Sequence, residues 1–175
     1  MKPNICEVLG GTLMPLSVYG EWDIVVTRAD GSEERKTLRN VVTAAGMNRL
    51  ANRAVQATGT TPFFTILVGT ITTAPADTDA QPQFGEMIRK ASIVSGASAQ
   101  SREWVFLTCT LGGAADGITS KTMNCAGITD FPTSHASTGV YGNRVNGLGT
   151  TLADSDFLAL TCRVRVGSHN QAHST

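Results

Sequence analysis

Few residues in this chain have the types and spacing to do chemistry. There are three histidines, His135, His169 and His173. The last two stand four apart, a spacing that lets two imidazoles share a metal ion along one helix face. The tail around them, SHNQAHST, has no helical patterning and no neighbouring acid or cysteine, so it reads as a surface tail. His135 lies in the Ser/Thr-rich stretch FPTSHASTG. A nucleophile, a base and an orienting group must converge in space, and one histidine among serines does not establish that. No G-x-S-x-G elbow occurs. Cys6, Cys109, Cys125 and Cys162 show no C-x-x-C spacing, which weighs against zinc and thioredoxin-like sites. Cys109 and Cys162 fall on the apolar faces of expected strands and read as small hydrophobes. Whether they pair depends on a distance that sequence leaves open.

The stretch Leu67 to Asp79, LVGTITTAPADTD, begins apolar and becomes a Thr/Ala/Pro loop ending in acids. A phosphate loop needs several glycines, to bring backbone amides around the anion, and a lysine. This stretch has one glycine and no lysine. Asp77 and Asp79 offer oxygen ligands, but a hard cation wants about six or more. A solvent-facing turn explains them. The chain is therefore expected to be no enzyme and to hold no cofactor and no metal.

The elements that would position any site are mostly strands. GEWDIVVTR alternates, with Trp22, Ile24 and Val26 on one face and Asp23, Val25 and Thr27 on the other. Asp30-Gly31 follows, a pair favoured in tight primed hairpin turns. The return strand SEERKTLRNVV is polar until Leu38, so its first half should stand in solvent. Thr43 then reads as an N-cap. Met47, Leu50, Ala51, Ala54 and Val55 follow helical spacing, predicting a helix near 44–57 ended by Gly59 and Pro62. Further strand signals come from PFFTILVG, IRKASIVSG, REWVFLTCTLG and KTMNCAGITDF. The cleanest alternation is FLALTCRVRVG, with Leu158, Leu160, Cys162, Val164 and Val166 on one face. GNRVNG, from Gly142 to Gly147, reads as a turn inside a long loop spanning Thr129 to Thr151. Short strands separated by turn residues, with one helix, predict a mainly β chain with one α-helix: an antiparallel β-sandwich or jelly-roll-like domain. The expected layout is an N-terminal arm over 1–19, the sandwich domain over 20–167 and a tail over 168–175.

Composition narrows the function. The chain has 175 residues, which fits one domain, and 41% are hydrophobic, enough for a core. Fourteen basic and fourteen acidic residues cancel. No excess of Lys and Arg marks a nucleic-acid footprint, so no nucleic-acid partner is expected. Charged residues are only 16%, which suits a protein packed against neighbours. No window is apolar enough to span a membrane, so no membrane partner is expected. The first thirty residues lack the pattern of a signal peptide, so synthesis in a reducing cytoplasm is expected. Two basic pairs, Arg49 with Arg53 and Arg163 with Arg165, read either as solvated charge or as partners for acids on a neighbouring subunit.

The order of these features resembles that of small structural proteins of tailed-bacteriophage virions. NVVTAAGMNRLANRAV is similar to the entry into the short Leu-Ala helix of such proteins. TILVGTITTAPADTDAQ is similar to their strand and Gly-Thr, Thr-Thr, Ala-Pro, Asp-Thr loop. NCAGITDF, NRVNG and DSDFLALTCRVRVG are similar to their closing strands. The likeness runs from Gly20 to Gly167 and departs at Ile71, where a second glycine is common. The resemblance implies a non-enzymatic capsid-decoration or tail-accessory protein, made in the host bacterial cytoplasm and located in the virion. It would form homo-oligomers and bind the major capsid or tail proteins. The contact residues expected are Thr70, Thr72, Thr73, Pro75, Asp77, Asp79, Arg144, Arg163 and Arg165. A host-surface or carbohydrate-binding module is the alternative, and a hydrolase with a dispersed site around His135 is a third reading.

Overall fold

Period-two alternation in the longest strands sets the architecture. The computed structural model describes residues 6–9, 12–55, 63, 65–79, 84–95, 104–131 and 141–168. Among these residues, eleven strands and one helix run in the order β1 (Cys6–Leu9), β2 (Thr12–Thr27), β3 (Glu33–Arg39), β4 (Val41–Val42), α1 (Ala44–Val55), β5 (Thr65–Gly69), β6 (Glu86–Ala91), β7 (Ile93–Ser95), β8 (Trp104–Gly112), β9 (Thr122–Thr129), β10 (Tyr141–Thr151) and β11 (Phe157–Ser168). One sheet has the order β1-β2-β11-β8-β7, with β3 also paired to β2; the other is β4-β10-β9-β5-β6. All named strand pairs are antiparallel. The mainly β, sandwich-like fold expected from the sequence is thus the observed one.

The inward faces follow the alternation. Trp22, Ile24 and Val26 are buried on β2, Leu107, Cys109 and Leu111 on β8, and Leu158, Leu160 and Cys162 on β11. Opposite them lie Ile66 and Val68, Met123, Ala126 and Ile128, and Val145 and Leu148 of the second sheet. Full burial of each large aliphatic side chain contributes about 1.5–3 kcal/mol. Two strand pairs close the sides by switching sheets. The chain leaves β3 and enters β4 through Asn40, and leaves β6 and enters β7 through Ser92. At the first corner the Asn40 amide donates to the Gly20 carbonyl at 3.2 Å. A Cβ on Gly20 would lie 2.0 Å from Asn40 Oδ1, so a larger residue here would displace the Asn40 side chain.

Four expectations change. The β2–β3 hairpin exists, but its turn is not a primed one. The Gly31 amide donates to the Arg28 carbonyl, the Arg28 amide to Ser32, and only Gly31 has positive φ in this turn. That is the geometry of a longer loop with glycine in the left-handed position. The GNRVNG segment is not a turn; it lies in β10, between β4 and β9. Glycine and asparagine hid the strand, because they carry no alternating hydrophobic signal. Residues 12–19 are the first half of β2, not a free arm, and Leu16 to Tyr19 pair with Arg165 to Ser168. Ser168, assigned to the tail, ends β11. The helix runs through Val55, and the remaining two residues of its expected span, 56 and 57, lie outside the described residues. His135, His169 and His173 lie outside the described residues.

Candidate interaction surface

The second sheet has one face against the core and the other under the Thr70–Asp79 loop and helix α1. Leu67, Cys125, Gly127, Arg144 and Asn146 share the outward direction, because cross-strand partners point the same way. Phe84 lies against this face and, with Leu67 and Cys125, forms a second small apolar cluster that Ile71 joins. Its ring occupies the space above Gly127: a Cβ there would come within 2.4 Å of Phe84 Cε1.

Arg144 is the centre of the arrangement. Its side chain is fully buried, with its guanidinium 5.6 Å from the centroid of the Phe84 ring, a cation–π distance. Arg144 Nη1 donates to Asp79 Oδ2 at 2.9 Å, and Nη2 donates to the Thr73 carbonyl at 2.8 Å. Asn146 Nδ2 donates to the same carbonyl. Asp79 Oδ2 also accepts from the Ala76 amide at 2.9 Å, closing a local turn. At the front of the loop, Asn124 Nδ2 donates to the Thr70 carbonyl at 2.8 Å. At the back, the Asp77 carbonyl accepts from the Ala44 amide at 2.7 Å, satisfying one open donor at the start of α1. The loop is therefore held along its length by β9, β10 and α1.

The helix is seated by its own first turn. Thr43 Oγ1 accepts from the Gly46 amide at 3.0 Å, the expected N-cap bond. The Thr43 amide donates to the Gly142 carbonyl of β10. Gly46 faces that same carbonyl so closely that a Cβ would stand 2.2 Å from it. Arg49 pairs with Asp130 of the same chain. Arg53 has no described side chain.

The sequence-derived contact residues fall into three groups. Thr70, Thr72, Thr73 and Asp77 are exposed along the loop, and Pro75 is half-buried there. Asp79 and Arg144 are buried partners of each other, so in this chain they anchor the loop and do not present a surface. Isolated polar residues in a sequence give no hint that they will meet under a loop. Arg163 pairs with Asp23 at 2.7 Å and Glu21 at 3.4 Å on the first sheet. Arg165 lies in β11 opposite Tyr19 and Trp104, with no described side chain. Sequence reasoning also missed Asn124, Asn146 and Phe84, and a second buried pair in which Arg89 clamps Glu86 through two bonds of 2.7 and 2.8 Å. Only the i, i+3 spacing of Glu86 and Arg89 was visible, and it suggested nothing on a strand.

The outward face of the first sheet is different in kind. Val25, Thr27, Phe106, Thr108, Ala159 and Thr161 are half-buried there. Phe157 is 52% exposed and Ile93 77% exposed. Thr108 and Thr161 meet across the β8–β11 ladder, with their hydroxyls 3.3 Å apart. The neighbouring edge strand β3 carries exposed Glu33, Glu34, Arg35, Lys36 and Arg39, charge that discourages edge-to-edge pairing.

The buried cysteines are free and unreactive. Burial pushes the Cys109 and Cys162 thiols up to about 12, and pushes Cys125 up as well. Cys162 Sγ also accepts from Asn143 Nδ2 at 3.1 Å. Among the described residues no three His, Cys, Asp or Glu side chains are grouped to hold a metal ion. Among them, too, no helix is long and apolar enough to cross a membrane. Compared with protein-family models, curated proteins and solved structures, the chain has no match.

Proposed function

We propose that this chain is a non-enzymatic structural protein of a tailed-bacteriophage particle, attached to the capsid surface or the tail through protein–protein contacts. The observation that supports the reading is the clamped Thr70–Asp79 loop. It holds Thr70, Thr72, Thr73 and Asp77 in solvent on a backbone already tied by Arg144, Asn146 and Asn124. A pre-ordered segment forfeits little conformational entropy when it docks. Small, mostly uncharged side chains are also cheap to desolvate. The neutral, charge-poor composition and the resemblance to virion proteins point the same way. On the carbohydrate-binding alternative, an aromatic platform could not include Trp22, which is fully buried.

Two measurements test the proposal. The chain should sediment with purified particles from the host that carries its gene, detected by mass spectrometry across a density gradient. Thr72→Lys combined with Asp77→Lys changes only exposed side chains and should leave the fold intact while depleting the chain from particles. Recovery of the native chain solely in the soluble fraction, or full incorporation of the variant, would overturn the assignment of the loop as the contact.

A further inference from the structure

Asn146 is followed by Gly147, the one Asn-Gly pair in the chain. In such a pair the following amide meets no side-chain obstruction on its way to the asparagine carbonyl carbon. Local backbone geometry decides whether the fold permits that approach. Here the β9–β10 register breaks between Asn146 and Thr150, so Gly147 lies outside the paired ladder. Gly147 is exposed and has φ of 92°, and a Cβ placed on it would find nothing closer than 3.8 Å. Asn146 Oδ1 has no partner among the described residues, and only Nδ2 is held, by the Thr73 carbonyl. The amide is therefore anchored through the very nitrogen that deamidation removes.

We propose that Asn146–Gly147 is a spontaneous modification site whose conversion loosens the Thr70–Asp79 loop. The Gly147 amide nitrogen gives its proton to solvent base and bonds to Asn146 Cγ. The Cγ–Nδ2 bond breaks, and the nitrogen takes up a proton from water and leaves as ammonia. Water then opens the cyclic imide at either carbonyl, leaving aspartate or isoaspartate. The net change is one water consumed and one ammonia released, with no oxidant or metal required. The product has a carboxylate where the donor to the Thr73 carbonyl had been. Two acceptors then face each other, and Arg144 Nη2, 2.8 Å from that carbonyl, is drawn toward the new charge. The loop loses at least one of its ties. This holds whether or not the loop is a particle contact.

The test is to age the full chain, folded, at mildly alkaline pH and follow its tryptic peptides by mass. The fragment Val145 to Arg163 contains Asn146 as its sole asparagine and no glutamine, so a gain equal to replacing NH2 by OH reports this site alone. Conversion is expected there before any other asparagine-containing peptide, and Asn146→Gln should abolish it. Asn146→Asp should raise amide hydrogen exchange at Thr70–Asp79 several-fold while leaving exchange in β8 and β11 unchanged. A Val145–Arg163 peptide that stays unmodified while other asparagines convert would overturn the site. Unchanged loop exchange in Asn146→Asp would overturn its coupling to the loop.

Discussion

At the residue scale, the most consequential side chain is Arg144. A lone arginine between an asparagine and a valine looks like surface charge in the sequence. The fold buries it completely, with Asp79 at 2.9 Å and Phe84 beneath it. Taking one partner of such a pair away leaves an uncompensated charge out of water, which costs about 3–5 kcal/mol. Arg144→Ala should lower stability by that amount in urea denaturation and raise hydrogen exchange in the Thr70–Asp79 loop. Replacing both partners together, Arg144→Met with Asp79→Leu, should recover most of the loss, because no unpaired charge remains. If Arg144→Ala left the midpoint unchanged, the pair would have to be solvated and the loop held by other contacts. The residues that clamp the loop were illegible in sequence for a physical reason. Their partners are backbone carbonyls and an acid 65 positions away, and side-chain type carries no record of such meetings.

At the scale of elements, the readable parts were those whose periodicity survives without knowledge of neighbours. The alternation of β2, β8 and β11 and the cap at Thr43 are local, and the fold carries both. Strand β10 was missed because its chain is broken by Gly142, Gly147 and Gly149, and because Arg144 and Asn146 are covered by a loop. A strand buried on both faces by different means shows no alternation. The helix gives a second check at this scale. Gly46 lets α1 approach the β10 backbone, where a Cβ would be 2.2 Å from the Gly142 carbonyl. Gly46→Val should therefore push the helix off β10 at a cost of about 3 kcal/mol, the upper part of the range for overpacking. Thr43→Ala removes the cap bond and the long hydroxyl bond to the Gly142 carbonyl at 3.4 Å, and should cost about 1 kcal/mol. Equal effects of the two in thermal denaturation would contradict the close contact.

At the scale of the whole molecule, the core contains two thiols on the inward face of neighbouring strands, Cys109 of β8 opposite Leu160 and Cys162 of β11 opposite Leu107. Cys109 and Cys162 are raised from 9.0 to about 12 by burial. Below pH 9 both folded and unfolded chains keep these thiols protonated, and the folded state is at its full advantage. Between 9.0 and about 12 only the unfolded chain ionises them, so stability falls as pH rises. Each thiol contributes a slope of about 1.4 kcal/mol per pH unit in that window. Urea midpoints across it should fall steeply for the native chain and less steeply for Cys162→Ala, even though that variant starts lower. A variant with the native slope would mean the thiol is accessible. The same measurement reports on the sandwich as a unit, since these thiols ionise freely only when the two sheets separate.

By itself the sequence determined that the chain is mainly β, which faces of β2, β8 and β11 turn inward, where the helix begins, and that charge is too scarce and too balanced for a polyanion binder. These follow from local rules: the two-residue repeat of a strand, the cap geometry of a helix and the composition of a surface. Tertiary structure alone decided that GNRVNG is a strand, that residues 12–19 extend the longest strand, and that Arg144 and Asp79 meet beneath a loop. Those outcomes depend on which segments lie side by side. Pairing and burial join residues far apart in the chain, and no local pattern encodes them.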